Sequence, residues 1–233
     1  MKKIALLILS IVVLACSTKS NDLVVKTHIS GLKKGTVYLK RLSDSTIITV
    51  DSVNISGDSE IVLRSDLDQP EVFYLFLDKN SKEDEGLAFF ASKGTTEIKA
   101  SLKYFPNDAK IIGSEEQKLL EAYQKLKSRL NNRNLELIKE AFDAQKSGDT
   151  AAIKEVTKKQ DNLIKARYLQ TVNFAINNKN SAVAPYVVLA EIYDVNTKYL
   201  DTIFATLTPE IKSSRYGLHL RELIDKRKKP VSR

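Results

Sequence analysis

The chain has 233 residues, of which 42% are hydrophobic and 28% are charged, and this globular composition excludes disorder throughout. The formal net charge of +8 would suit a nucleic acid or a membrane surface. Because the surplus is concentrated after residue 210, the remainder is close to neutral and no nucleic-acid partner is predicted. The single cysteine excludes an intramolecular disulfide.

The N-terminus has the pattern of a lipoprotein signal. Residues 1–3 include two lysines, and residues 4–15 are an apolar run, which has the length of a signal-peptide core and falls short of the roughly 20 apolar residues of a transmembrane helix. The sequence Val-Leu-Ala-Cys that ends at Cys16 resembles a lipobox. We therefore predict a signal peptide over residues 1–15 and lipidation of Cys16, with an ordinary secretory signal as the alternative.

Lipid on Cys16 would anchor the chain to a membrane of the cell envelope, since each buried methylene contributes about 0.8 kcal/mol. The polar sequence after it predicts a flexible tether, so that residues 16–22 are the lipidated cysteine and its spacer. The residue after the lipidated cysteine is Ser17 rather than an aspartate, and this favours sorting to the outer membrane over the inner one. The mature domain is expected in the periplasm or at the cell surface.

Residues 23–112 have the pattern of a β domain. Short runs rich in Val, Ile, Thr, Tyr and Phe alternate with turn residues, and no helical segment intervenes. We predict an antiparallel β-sandwich or open barrel of about seven strands, and no parallel sheet. The predicted strands are residues 23–31, 35–42, 45–56, 59–66, 71–78, 86–92 and 96–102.

Residues 113–229 have the period of helices, so the fold class is α+β. Ser114 and Gln117 form a capping box, and the first helix should end before Gly148. Asp149 can cap a second helix, which gives a long antiparallel helix hairpin. The apolar stripe of the first helix is predicted to be Leu119, Tyr123, Leu126 and Leu130, continuing through Leu137, Ile138 and Phe142. That of the second is predicted to be Ile153, Val156, Leu163 or Ile164, Tyr168 and Val172.

Three shorter helices are predicted to follow the hairpin, over residues 181–193, 199–207 and 208–228, and residues 230–233 form a tail. The basic end of the last helix, near Lys228, could contact anionic headgroups. A solvated helix end with cations at the negative pole of the helix dipole is the alternative.

Several motifs, in this order, resemble one known family. They are "ISGLKKGTVYLKRL", "ITVDSVNISG", "FYLFLD" and "IIGSEEQKLLEAYQK". Together they resemble the domain of unknown function 4369, the N-terminal region of envelope lipoproteins that often carry a thioredoxin-like domain of the thiol-disulfide interchange class. The later "NKNSAVAPYVVLAEIYD" and "SRYGLHLRELIDKRKK" are similar to the helical connector of those proteins.

The resemblance carries no catalytic residue over to this chain. In the two-domain relatives, the connector leads into a thioredoxin fold whose Cys-x-x-Cys supplies the attacking and resolving thiols. This chain ends about where that domain would begin, and Cys16 is its one cysteine. We therefore expect no disulfide exchange and no enzymatic activity.

No metal or cofactor site is predicted. His28 and His219 stand alone in a predicted strand and helix, where a surface or edge histidine is the expected role. Asp78, Asn80 and Asp84 have part of the spacing of a calcium-binding loop. Lys82 occupies the place of an oxygen ligand and Glu83 that of the turn glycine. A solvated hairpin loop is the prediction there.

The aromatic residues of two strands are the candidate ligand or partner surface. They are Phe73, Tyr74, Phe76, Phe89 and Phe90. These side chains could line a cleft between sheet and helices. The alternative is that they are core, in a strand buried on both sides or roofed by a helix.

The expected function is that of a non-enzymatic, membrane-anchored envelope lipoprotein, a binding or protein-interaction module with a possible envelope protein partner. Two alternatives stay open. The chain could be an accessory partner of a separately encoded thioredoxin-like protein, docking through its helical half. It could also bind a small ligand or glycan with its sheet, although it has no tryptophan, which sugar platforms often use.

Overall fold

The computed structural model describes residues 22–43, 46–57, 60–78 and 86–229. The predicted signal peptide, Cys16 with its spacer up to residue 21, and residues 230–233 lie outside these ranges. Strands come first in the described residues and helices follow, as the α+β prediction requires. None of the described helices is long and apolar enough to cross a lipid bilayer.

The described residues contain eight strands in two four-stranded sheets. They are β1 (Leu23–Ser30), β2 (Lys34–Ser43), β3 (Thr46–Ser56), β4 (Ile61–Ser65), β5 (Glu71–Leu77), β6 (Leu87–Ala91), β7 (Gly94–Ser101) and β8 (Lys110–Ile112). One sheet has the order β4-β1-β7-β8 and the other has the order β3-β2-β5-β6, and neither closes into a barrel. The predicted sandwich is therefore confirmed, as two sheets that do not close into a barrel.

The structure departs from the predicted strands in two ways. The sequence did not predict β8, because three residues are too few to show alternation; Glu97 of β7 pairs with Ile112 and holds it in the sheet. The expectation of purely antiparallel pairing was wrong for β1 and β7, which run parallel with Leu23 opposite Gly94. Five strands separate them in the chain, so no tight hairpin sets their relative direction.

The main core lies between the two sheets, and β5 is buried on both of its faces. Phe73 and Leu75 point into the sandwich, whereas Val72 and Tyr74 pack in a second cluster with residues of the helices. This is the strand roofed by a helix that its unbroken aromatic pattern indicates. The sheet therefore depends on the helical half to cover one of its faces.

Six helices follow the strands in the described residues. They are α1 (Glu115–Ser147), α2 (Thr150–Asn177), α3 (Val183–Glu191), α4 (Thr197–Thr206), α5 (Pro209–Ser213) and α6 (Arg215–Lys228). The predicted hairpin of α1 and α2 is confirmed. Gly148 ends α1 in the left-handed conformation with φ 68°, and the carboxylate of Asp149 accepts the Ala151 and Ala152 N–H groups at 3.0 Å.

The predicted terminal helix over residues 208–228 is two helices rather than one. Ser214 interrupts it with an extended backbone, φ −69° and ψ 162°, and its hydroxyl accepts the Gly217 N–H at 3.3 Å. A Cβ on Gly217 would lie 2.0 Å from the Ile211 carbonyl oxygen, so the close turn between α5 and α6 requires glycine there. The local signals for this break, an N-cap serine and the glycine three residues later, are weak because serine also occurs inside helices.

Side chains of β5 and α6 join the sandwich to the helical half. Glu71 accepts hydrogen bonds from both Arg41, at 3.1 Å, and Arg215. Beside them, the Val72 N–H donates to the Tyr216 hydroxyl at 3.0 Å. Glu71 is 4% exposed, so its charge is stabilised by these two guanidinium groups rather than by water.

Candidate interaction surfaces

The aromatic residues predicted as a candidate surface are divided between different clusters. Phe73 and Phe89 lie in the sandwich core with ring centroids 6.2 Å apart. Phe90 and Tyr74 belong to the cluster between sheet and helices. Phe76 is buried, and the Lys40 ammonium lies 4.5 Å from its ring centroid. The five side chains therefore do not line one common cleft.

Three aromatic rings form the centre of the sheet–helix junction. Phe90 packs edge-on against Tyr186 at a centroid distance of 5.6 Å, and Tyr186 packs against Tyr216 at 5.2 Å. Burial raises the pKa of Tyr186 to about 12. Burial also raises the pKa of Tyr216, although the hydrogen bond from the Val72 N–H opposes the shift. Both hydroxyls are therefore protonated at neutral pH, as packed neutral groups require.

The described candidate metal-binding residues are His28, His219 and Asp78. His28 lies exposed on β1 and His219 lies half-buried on α6. Asp78 directly follows β5, while Asn80 and Asp84 fall outside the described residues. No group of three or more His, Cys, Asp or Glu side chains with metal-binding geometry occurs in the described parts of the chain.

On the outer edge of β6, side chains hydrogen-bond to the backbone of one residue, Phe90. The Phe90 N–H donates to Oε1 of Gln117 at 2.8 Å, and the Phe90 carbonyl accepts the Ser114 hydroxyl at 3.0 Å. Gln117 is only 3% exposed, and its amide nitrogen donates to Glu121 at 2.9 Å. The first turn of α1 thus satisfies both backbone groups of Phe90 that point away from the sheet.

At Ala88, two residues before Phe90, the outer edge of β6 opens into a cleft of about 600 Å³ between β6 and α1, which we call the edge cleft. Ala88 forms part of one wall, and Ala109, just before β8, and Ile111 of β8 form part of another. The α1 wall carries Gln124, Lys125 and Arg129. Both cations are exposed, and no ion pair to either occurs within the described residues. The sequence held no signal for this cleft, since its walls are far apart in the chain.

A second surface lies on the far half of α1. Leu135, Ile138 and Phe142, the hairpin stripe, are 65%, 51% and 64% exposed. The prediction that Ile138 and Phe142 continue the buried face was wrong, because Leu137 and Ala144 face α2 instead. On a helix, Ile138 lies about 100° away from Leu137.

The packing of α2 follows its predicted stripe in part. Val156 and Val172 are buried. Of the two open alternatives, Leu163 is half-buried, whereas Ile164 is 54% exposed. The contact between α1 and α2 therefore buries fewer apolar side chains than the predicted stripes contain.

Comparison with known proteins identifies the first half of the chain. Residues 23–120 match the model of a family described as Domain of unknown function (DUF4369). This segment is a DUF4369 domain. No curated protein and no solved structure gave a significant match to the chain.

The DUF4369 domain contains all eight described strands and the first turn of α1. It therefore includes Ser114 and Gln117, the residues that cap the edge of β6. Lys125, Arg129 and the hairpin stripe lie beyond its matched end. Ser114 caps α1 as predicted, by accepting the Gln117 N–H at 3.1 Å. The Gln117 side chain does not complete the capping box, because it accepts the Phe90 N–H instead and so fixes α1 against the sheet.

Proposed function

We propose that this chain is a membrane-anchored lipoprotein of the cell envelope that acts as a non-enzymatic protein-interaction module. The anchor is proposed from sequence, on the apolar run followed by Cys16. The single observation that carries the interaction role is the hairpin stripe. A row of three large apolar side chains on one exposed helix face is typical of a surface that a partner covers.

The position of the stripe supports a folded protein as partner. Leu135, Ile138 and Phe142 lie at spacings of three and four, so that one helix face presents them together. Some of the neighbouring charges are paired, with Arg133 donating to Glu136 at 2.6 Å. An apolar row flanked by charged and polar residues suits a protein surface of similar composition. A separately encoded thioredoxin-like protein, the alternative raised by the family resemblance, would be one such partner.

Site-specific cross-linking in intact cells tests this role. A photo-reactive amino acid in place of Ile138 should give a discrete cross-linked product in the membrane fraction. The same amino acid in place of Lys154, an exposed residue of α2, is the matched control and should give none. Adding Leu135→Glu and Phe142→Glu should abolish the product at position 138.

The outcomes separate the versions of the proposal. Recovery of one thioredoxin-like protein at position 138 would favour the accessory role, and recovery of another envelope protein would favour a general interaction module. Monomer alone at both positions would contradict the interaction role. Equal products at both positions would contradict it too, because they would reflect crowding rather than a defined surface.

A further inference from the structure

The hydrogen-bonding direction of Ala88 follows from its neighbours in the sheet. Val72 and Phe90 are paired residues, yet the Val72 N–H donates to Tyr216 and the Phe90 N–H donates to Gln117. They therefore form a pair without mutual hydrogen bonds. Because such pairs alternate along an antiparallel ladder, Tyr74 and Ala88, two residues further on, form another. The Ala88 N–H and C=O consequently point away from β5, toward the edge cleft.

The edge cleft thus combines a free strand edge with enclosing walls. At Phe90 the edge is closed by Gln117 and Ser114, whereas at Ala88 no side chain of the described residues takes that place. The Ala88 side chain is small and exposed, so it does not block an approaching backbone. A donor and an acceptor on one residue are what an added strand pairs with.

The α1 wall gives this edge a charge preference. Lys125 and Arg129 both line the cleft, and they are four residues apart on one helix face, which places them about 6 Å from each other. Alternate residues of an extended strand are separated by roughly 7 Å and point to the same side. Two acidic residues at alternate positions of a strand would therefore match the two cations. The one carboxylate of this wall, Glu121, is already hydrogen-bonded to Gln117.

We propose that the edge cleft binds an extended, acidic peptide segment of a partner protein by β-strand addition to β6. One peptide residue accepts the Ala88 N–H and donates its own N–H to the Ala88 carbonyl. Acidic side chains on the peptide face toward α1 pair with Lys125 and Arg129. The proposal deepens the proposed interaction role but uses a surface separate from the hairpin stripe, so either can fail without the other.

Fluorescence anisotropy with defined peptides tests this inference on the full-length chain in detergent. The probe is a labelled, capped peptide of alternating Glu and Val, and the comparison peptide has Lys in place of each Glu. Saturable binding of the acidic peptide, at least about tenfold tighter than that of the basic one, is expected. Two further peptides carry methyl groups on the backbone nitrogens of either the odd or the even residues. One of them should not bind, because it lacks the N–H group that donates to the Ala88 carbonyl.

Variants of the chain locate the binding site. Ala88→Pro removes the outward N–H and leaves the β5 ladder intact, since its nitrogen is not paired there, and binding should weaken about tenfold. Lys125→Glu with Arg129→Glu should reverse the preference between the two peptides. Lys158→Glu, an exposed cation of α2, is the matched control and should leave both affinities unchanged.

Several results would overturn the proposal. These are absence of saturable acidic-peptide binding up to about 1 mM, equal binding of the acidic and basic peptides, and binding that survives the double charge reversal. Should Ala88→Pro unfold the chain, as judged by circular dichroism, the methylated peptides and the charge reversal still decide the outcome.

Discussion

Glu71 on β5 and Arg215 at the start of α6 form a partly buried ion pair although they lie 144 residues apart in the chain. The Arg215 guanidinium also donates to the Leu42 carbonyl at 2.5 Å, so one side chain reaches both β2 and β5. Its backbone N–H donates to the Gln69 side chain at 3.0 Å. Arg215 therefore joins the terminal helix to two strands of the sandwich, beside the Tyr216 contact to Val72.

Glu71→Ala should destabilise the whole chain. The substitution leaves the Arg41 and Arg215 guanidinium groups, whose side chains are 34% and 23% exposed, without their carboxylate. Breaking a fully buried pair costs about 3–5 kcal/mol, and because water reaches these two half-buried cations, the expected loss is about 1–3 kcal/mol. Urea unfolding followed by circular dichroism measures the effect. Glu60→Ala is the matched control, since Glu60 makes an exposed 4.0 Å ion pair with Lys26 and its loss should cost below about 1 kcal/mol. Equal effects of the two substitutions would contradict the structural role of Glu71.

A fragment spanning residues 23–112 should give mostly β signal and be much less stable than the mature chain. It lacks the helical residues that cover Val72, Tyr74 and Phe90, which leaves an aromatic sheet face in water. Urea titration of the fragment and of the mature chain compares their free energies of unfolding. Equal stability would show that the two halves fold independently.

The buried tyrosines should make the fold sensitive to alkali. The pKa of Tyr186 is raised to about 12 in the folded chain, whereas the unfolded value is about 10. Below pH 10 the hydroxyl is protonated in both states and stability does not depend on it. Between about pH 10 and 12 only the unfolded state loses the proton, so the free energy of unfolding should fall by about 3 kcal/mol.

Urea titrations at increasing pH measure that loss. Tyr186→Phe should reduce the alkaline loss while leaving the fold intact near neutral pH, because the ring packing against Phe90 is kept. Tyr104→Phe, at a tyrosine that is 56% exposed, is the control. An unchanged pH dependence in Tyr186→Phe would show that other groups cause the alkaline unfolding.

No thiol chemistry is expected from the residues after the lipidation site. Disulfide reduction needs an attacking and a resolving thiol, and peroxide reduction needs at least one. Cys16 is the single cysteine, so a purified form spanning residues 17–233 contains no sulfur nucleophile. Insulin-reduction and peroxide-consumption assays should match the no-protein control. Turnover above that control would contradict the non-enzymatic proposal.

Local patterns predicted the boundaries of the α1–α2 hairpin because its helix caps are local. Ser114, Gly148 and Asp149 each act within a few residues of their own position, and all three behave as the sequence indicates. The parallel pairing of β1 with β7 depends on distant strands and was not predictable from alternation. The break at Ser214 has a local cap, since its hydroxyl accepts the Gly217 N–H, but the predicted single helix did not take that signal into account.

The candidate surfaces were harder to predict for the same reason. Ala88 and Lys125 come together only because Gln117 fixes α1 beside β6. The aromatic residues attracted attention by composition, yet Phe73 and Phe89 are core because the period of two sends them inward. Ile138 differs from Leu137 by one position, and that single step decides between an exposed and a buried side chain.

Membrane fractionation of Cys16→Ser tests the central claim most directly, because the proposed interaction module works on a membrane through this one side chain. The account predicts that the wild-type chain is recovered in the membrane fraction in a processed form. The Cys16→Ser variant should leave an unprocessed precursor and lose the lipid-dependent membrane partitioning. Unchanged partitioning and processing in Cys16→Ser would contradict the lipoprotein proposal.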